Sequence, residues 1–179
     1  DEVFLPKGTY YLASPVTIPA NKKLIMSKST ILKPLTDIDI FIMGNMSEIR
    51  NGIADVTGIT PYSKSVVSFR NENIFNVNVN GLVGKNIVSK IIRPSGKFLN
   101  LDTTDGLSKF IIFSNFKDFY CEGFEYGINV RNVPTLTTYG FANGNNFHGS
   151  CSSCTYSVYN HRADANHYDI EGQGAFLDA

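Results

Sequence analysis

Apolar and polar positions alternate in short bursts along this chain. Apolar runs at Val3 to Leu5, Thr9 to Leu12, Val16 to Ile18, Lys23 to Met26 and Thr30 to Leu32 are separated by Pro6-Lys7-Gly8, Ala13-Ser14-Pro15, Pro19-Ala20-Asn21 and Ser27-Lys28-Ser29. Such short runs, punctuated by Pro, Gly, Asn and Ser, predict strands joined by sharp corners and argue against helix. Between Asp37 and Thr60, Ile38, Ile40 and Ile42 alternate with Asp39 and Phe41, which reads as a further coil with an irregular loop. A short amphipathic helix around Pro61 to Val66 stays open.

The clearest pattern lies in Ser65 to Gly84, SVVSFRNENIFNVNVNGLVG. Phe75, Val77 and Val79 fall on one parity and Asn76, Asn78 and Asn80 on the other, as in a strand with one buried face. Similar text returns 44 residues later in Lys109 to Gly127, which sets Phe69 over Phe113, Asn71 over Asn115, Phe75 over Phe119 and Val77 over Cys121. With strand-rich but poorly patterned sequence between them, a return at 44 reads as two turns of about 22 residues each. The expectation is an all-β solenoid of parallel coils, each about 21 to 23 residues long, with further strands at Ile128 to Val130 and Leu136 to Tyr139.

Candidate chemistry follows from that stacking. Phe124, Phe147 and Tyr168 are 23 and 21 residues apart in the phrases GFEYG, NFHGS and HYDIEG. Stacked, they and Ile170 form an inward ladder, and their neighbours Glu125, His148 and Asp169 form one outward column flanked by His167 and Glu171. Successive strands lie about 4.8 Å apart, so carboxylate, imidazole and carboxylate come within reach of one another, as acid and base catalysis requires. The same column also reads as an ordinary solvated face. Asn76 and Asn78, with Asn146 and His167, are candidates for binding sugar hydroxyls, because an amide both donates and accepts; the alternative use of asparagine is to satisfy backbone at corners. His161 and Asp164 lie in a loop-like NHRADAN, and Tyr156 and Tyr159 suit either sugar stacking or core.

Composition adds bounds. The 179 residues suit a single domain, 1–179, which opens on Asp1 already strand-like and is expected to be a piece of a longer chain. Sixteen basic and sixteen acidic residues balance, so no overall field favours nucleic acid or an anionic membrane. No apolar run approaches 18 residues, so no membrane insertion by a helix is expected. Of three cysteines, Cys121 falls on the apolar parity, and Cys151-Ser152-Ser153-Cys154 has no second CxxC or spaced histidine to complete a metal site. Neither a metal nor a cofactor is expected, and the CSSC residues are read as two thiols in a turn-rich coil.

The run Leu5-Pro6-Lys7-Gly8-Thr9-Tyr10, followed by Val16 to Pro19 and Leu24 to Met26, resembles the opening turn of pectin-lyase-like, single-stranded right-handed parallel β-helices. The later phrases FKDFYCEGFEYGINV, ANGNNFHGS and ANHYDIEGQG resemble those of bacteriophage tailspike and tail-fibre β-helices of that kind. The resemblance implies a homotrimer on the virion tail, or an extracellular protein, that recognises and in some cases depolymerises bacterial surface polysaccharide. A depolymerase would be a glycoside hydrolase or polysaccharide lyase, with Glu125, Asp169 and Glu171 as acid, base or nucleophile and His148 as base or orienting group. A cellular extracellular hydrolase or lyase, and a purely structural shaft, are the alternatives. The catalytic phrases of polygalacturonases and pectate lyases have no match here, which disfavours pectin as substrate.

Overall fold

The computed structural model describes residues 1–86, 95–103, 109–132 and 140–173; the strand expected at Leu136 to Tyr139 lies outside them. Strands follow one another in circuits. The first circuit holds β1 (Glu2–Leu5), β2 (Gly8–Leu12) and β3 (Val16–Ile18); the second, β4 (Lys23–Met26), β5 (Thr30–Pro34) and β6 (Phe41–Met43). The third holds β7 (Glu48–Arg50), β8 (Ile53–Asp55) and β9 (Ser65–Phe69). The fourth is longer, with β10 (Ile74–Phe75), β11 (Asn78–Asn80), β12 (Val83–Lys85) and β13 (Lys97–Asp102). Then come β14 (Ile111–Ile112), β15 (Asn115–Glu122) and β16 (Tyr126–Arg131), followed by β17 (Asn146–Ser152), β18 (Tyr156–His161) and β19 (His167–Gln173).

All pairings among these strands are parallel, and the protein is all-β with its strands in curled sheets. One stack runs β1, β4, β7, β11 and the first half of β15; a second runs β2, β5, β8, β12 and the second half of β15. The long strands β15, β17 and β19 join these two stacks into one sheet of eleven strands. The third stack is the six-stranded sheet β3, β6, β9, β13, β16 and β18. The strands expected between Val3 and Leu32 are found within two residues of their predicted ends. No helix occurs among the described residues. Around Pro61 to Val66 the amides point to the previous circuit instead of up the chain, Ser63 N–H donating to Asp37 Oδ1 (2.9 Å) and Ser65 N–H to Asp39 Oδ1 (2.8 Å).

The circuits are not of constant length. Along the first stack Glu2 faces Lys23, Lys23 faces Glu48, Glu48 faces Asn78, Asn78 faces Asn115, Asn115 faces Asn146 and Asn146 faces His167. Successive circuits are therefore 21, 25, 30, 37, 31 and 21 residues long. This corrects the expected 21 to 23. It also corrects the 44-residue register: Val79 faces Phe116 and Ile74 faces Ile111, each 37 residues on, with no coil between. The added residues lie in the connections, where length costs little entropy, while strands keep their register.

Corners recur at fixed positions because one residue in each takes the left-handed backbone conformation. Two residues before each pairing position just named stand Asn21, Met46, Asn76, Phe113, Gly144 and Ala165, with φ between 53° and 67°. A second column, Asn51, Gly81 and Asp118 (φ 59°, 69° and 53°), separates the first stack from the second. A side chain in this conformation costs about 1–2 kcal/mol. The amides at these corners are tied to the next circuit, as in Asn21 N–H to Asn45 O (3.0 Å), Met46 N–H to Phe75 O (2.9 Å) and Asn51 N–H to Asn80 O (2.7 Å). The corner at Asn76 resets the parity, so Ile74 is buried beside half-exposed Phe75, contrary to the alternation expected there. A similar reset before β6 buries Ile40, Phe41 and Met43 and turns Ile42 outward.

Polar side chains line the inside of the first column of corners. Asn145, fully buried, accepts from Ser114 N–H at Oδ1 (3.0 Å) and donates through Nδ2 to Ile111 O (2.9 Å). Asn166 Oδ1 accepts in turn from Asn145 N–H (3.0 Å), and Ser114 Oγ accepts from Val77 N–H (3.2 Å). Asn145 and Asn166 thus satisfy backbone groups at corners. Next to this ladder the rings of Phe116, Phe147 and Tyr168 stack at 4.9 and 5.0 Å with 8° between planes. Phe124 is not in that ladder; it packs against Tyr62 (6.3 Å) and Phe98 (5.9 Å), because its position follows the Gly123 corner and not a point in register with Phe147.

The three cysteines are free and buried, and CSSC runs from the end of β17 into the bend at left-handed Ser153 (φ 53°), in line with the turn-rich coil expected there. Cys121 Sγ lies 3.3 Å from Cys151 Sγ and 3.9 Å from Cys154 Sγ, and burial pushes the Cys121 thiol well above its ordinary value. Gly127 makes room for them, since a Cβ there would stand 2.5 Å from Cys151 Sγ.

Removing the Asn145 amide leaves a buried N–H and a buried carbonyl without partners, so Asn145→Ala is expected to lose about 2–4 kcal/mol of stability. Asn146→Ala, one residue away on the exposed face, should change it by less than about 0.5 kcal/mol. Urea unfolding of the two variants checks this; equal losses would show that the corner ladder does not bear on stability.

Candidate functional site

The outer face of the first stack carries two polar columns. One is Lys23, Glu48, Asn78, Asn115, Asn146 and His167, one residue per circuit. Two residues further along the strands stand Arg50, Asn80, Lys117, His148 and Asp169. Between the columns Ile49, Val79, Phe116 and Phe147 point inward and are buried, so strict alternation holds both columns outward. Asn146 Nδ2 donates to Asn115 Oδ1 (3.1 Å), linking neighbours within the first column. Glu48, Arg50, Asn78, Asn80, Asn115 and Lys117 line a shallow recess of about 200 Å³.

A bulge adds the third group of a charged cluster. Phe116 faces Phe147 but Phe119 faces Gly149, so Lys117 and Asp118 together oppose His148. Such an insertion re-aims a side chain. With its left-handed backbone, Asp118 brings Oδ1 to 3.3 Å from His148 Nδ1, and Asp169 Oδ2 approaches His148 Nε2 at 3.6 Å from the other side. The 3.3 Å contact is within hydrogen-bonding reach, whereas 3.6 Å is not a hydrogen bond. An imidazole between two carboxylates has one ring nitrogen facing each of them, the arrangement by which a carboxylate orients a histidine. These side chains are 58–71% exposed on an open face, however, and nothing there excludes water.

The expected column is thus partly assembled. His148 and Asp169 meet as the spacing predicted, and Asn78, Asn146 and His167 share the adjoining column. Glu125 is elsewhere: it precedes β16 and, with Lys97, Tyr126, Asn129, Arg131 and Tyr159, lines a separate cleft of about 350 Å³ on the third stack. Its alignment with His148 failed because it was inferred from the wrong aromatic, Phe124 in place of Phe116. Glu171 sits on β19 opposite Ser150, in the part of the strand belonging to the second stack, and accepts from Gln173 Nε2 (3.0 Å). Asn76 is a corner residue whose carbonyl accepts from Asn78 Nδ2 (3.3 Å). Asp118 was missed, although the polar pair Lys117-Asp118 between Phe116 and Phe119 breaks the alternation as a bulge does. Of the loop residues, Asp164 N–H donates to Asn143 Oδ1 (3.0 Å). Among the described residues no group of three or more His, Cys, Asp or Glu side chains is arranged to hold a metal ion.

Glu48 fixes the charge at the recess. Burial pushes its carboxyl upward, but hydrogen bonds from Arg50 and from Lys23 (Nζ to Oε2, 3.3 Å) outweigh this and hold it below the ordinary glutamate range. The folded chain therefore favours the ionised form more than the unfolded chain does. That contribution is present above the unfolded value and is lost as pH falls through the lower, folded one. The stability difference between the wild type and Glu48→Gln is expected at ~pH 6 and should shrink below ~pH 4.3, as read by urea unfolding across pH. A difference independent of pH would show that the carboxylate does not couple to folding. In comparisons with known proteins, this chain matches no family model, no curated protein and no solved structure.

Proposed function

We propose that this chain is a right-handed parallel β-helix of the bacteriophage tailspike or tail-fibre kind, which binds bacterial surface polysaccharide along the outer face of the first stack. The observation that carries this reading is the repetition of the two polar columns. Asn78, Asn115 and Asn146 recur once per strand, as do Asn80, Lys117 and His148 beside them. A polymer of repeating sugar units is matched by donors and acceptors that repeat at a similar interval, and amides serve hydroxyls in both roles. Strands set about 4.8 Å apart give a repeat close to the length of one pyranose unit in an extended chain. Parallel pairing in a repeating order of stacks and the opening phrase Leu5 to Tyr10 support the β-helix assignment. Assembly as a homotrimer on the virion tail, or secretion as an extracellular protein, belongs to the same proposal.

Binding without cleavage is the reading favoured by the open face. A specific observation favours a second reading, depolymerisation: His148 stands between Asp118 and Asp169. In that case His148 acts as base or acid on a glycan lying along the columns, with a carboxylate orienting it.

The protein is to be passed over immobilised capsular and O-chain polysaccharides from a panel of bacteria. Retention on at least one is expected, with Asn115→Ala/Asn146→Ala binding roughly tenfold more weakly through the loss of two hydrogen bonds. Failure of the wild type to bind any member, or full binding by the double variant, would sink the proposal. Release of new reducing ends by the wild type but not by His148→Ala, with retention kept, would establish the second reading; no release by the wild type would leave binding alone.

A further inference from the structure

The third stack has its own cleft, on a face separate from the two polar columns. We infer that this cleft is a second binding site, which takes an acidic sugar unit of the uronate type; the inference rests on the polysaccharide reading and adds the chemical class of sugar. Three columns build it. Lys97 faces Tyr126, and Tyr126 faces Tyr156; Asn100 faces Asn129, and Asn129 faces Tyr159; Asp102 faces Arg131, and Arg131 faces His161.

Each wall has a chemistry. The rings of Tyr126 and Tyr156 stack at 5.2 Å, and Tyr159 meets them edge-on at 5.4 and 6.0 Å. Of these rings, Tyr126 and Tyr159 line the cleft, while Tyr156 lies behind Tyr126 in its column and is exposed. Tyrosine rings offer flat apolar faces on which the C–H face of a pyranose stacks, with phenol groups at their edges for hydroxyls. Glu125 is held in place because its backbone carbonyl accepts from Tyr156 N–H (2.8 Å), and its carboxylate is an acceptor for sugar hydroxyls. Its proximity to Tyr126 is felt by the phenol, which is pushed upward by burial and then by the Glu125 charge. Asn129 is pinned, its Nδ2 donating to Asn100 Oδ1 (2.7 Å).

Selection for an acidic sugar comes from the cations. Lys97 and Arg131 both line the cleft with Glu125, and the second carboxylate nearby, Asp102, lies outside the lining. Asp102 Oδ2 forms an ion pair with Arg131 Nη1 at 3.7 Å, beyond hydrogen-bond distance, and the Arg131 side chain stays 42% exposed along the cleft. A guanidinium whose carboxylate neighbour stands beyond hydrogen-bond distance is a receptor for a further carboxylate, which it binds through parallel N–H groups. A uronate brings that carboxylate on the same ring that stacks on tyrosine. A neutral hexose fills the aromatic wall but leaves the fork unused.

The test uses methyl β-D-glucuronide and methyl β-D-glucoside as probes, titrated into the whole chain by calorimetry or saturation-transfer NMR. The glucuronide is expected to bind about tenfold more tightly than the glucoside, the worth of a charge-assisted pair. Arg131→Gln should erase that preference, and Tyr159→Ala should weaken both probes. Should Arg131→Gln fail to fold, as judged by its thermal transition, Lys97→Gln is expected to reduce the same preference. No binding of glucuronide by the wild type, equal affinity for the two probes, or a preference that survives in the cation variants would overturn the inference. So would acetate competing as well as the glucuronide, which would make the cleft a bare anion pocket. Asn115→Ala/Asn146→Ala, altered on the other face, should keep the preference, so failure of this site and failure of the polysaccharide reading register separately.

Discussion

Hydrogen bonding of each circuit to the next at the corners is the constraint on which the rest of the structure depends. Strands satisfy their own backbone groups by pairing, but a chain that turns between stacks exposes amides and carbonyls to the interior at every bend, and buried ones must find partners. Here the bends are placed in columns, so that left-handed residues such as Asn21, Met46, Asn51, Asn76 and Gly81 donate to a carbonyl in the following circuit, and buried Ser114 and Asn145 with half-buried Asn166 satisfy further groups at the bends. Because the partners come from neighbouring circuits, register is held by the corners as well as by the strands. This is why the connections can grow from one circuit to another while the pairing positions stay aligned.

The same constraint explains what could and could not be read from the residues. The first five strands were legible because Pro, Gly, Asn and Ser stand between apolar runs and mark each bend. The His148 and Asp169 pair was legible because two short phrases, NFHGS and HYDIEG, belong to circuits with no insertion between them. Elsewhere the resemblance of one stretch to another misled. Phe69, Phe75 and Val77 repeat in text at Phe113, Phe119 and Cys121, yet left-handed residues at Asn76, Phe113 and Asp118 reset the parity within those stretches. An alternating pattern does not record where such a residue falls when it is Met, Phe or Ala instead of Gly. For the same reason Asp118 escaped notice and Glu125 was set in a column to which it does not belong.

Two faces with different chemistry result from one folding rule. On the first stack, alternation leaves amides and mixed charges in rows above an aromatic ladder, and the bulge in β15 inserts a carboxylate beside an imidazole. On the third stack, the outward positions of β16 and β18 are filled by tyrosines, with Arg131 and Lys97 beside them. The first face sets polar side chains in rows along the stack, suited to contacts along a chain; the second gathers tyrosine rings and cations around one cleft of about 350 Å³, suited to a single ring. Neither requires a change in the backbone that supports it, since outward residues on a parallel stack are free of packing demands.

The buried sulfur cluster has a consequence for the protein's dynamics. Cys121, Cys151 and Cys154 come from two successive circuits and meet under Gly127. A maleimide can reach them only when those circuits part, so the alkylation rate in native buffer measures the population of that local opening. The molecule thus carries a native reporter of how tightly its later circuits are closed against one another, and it can be read without introducing any label.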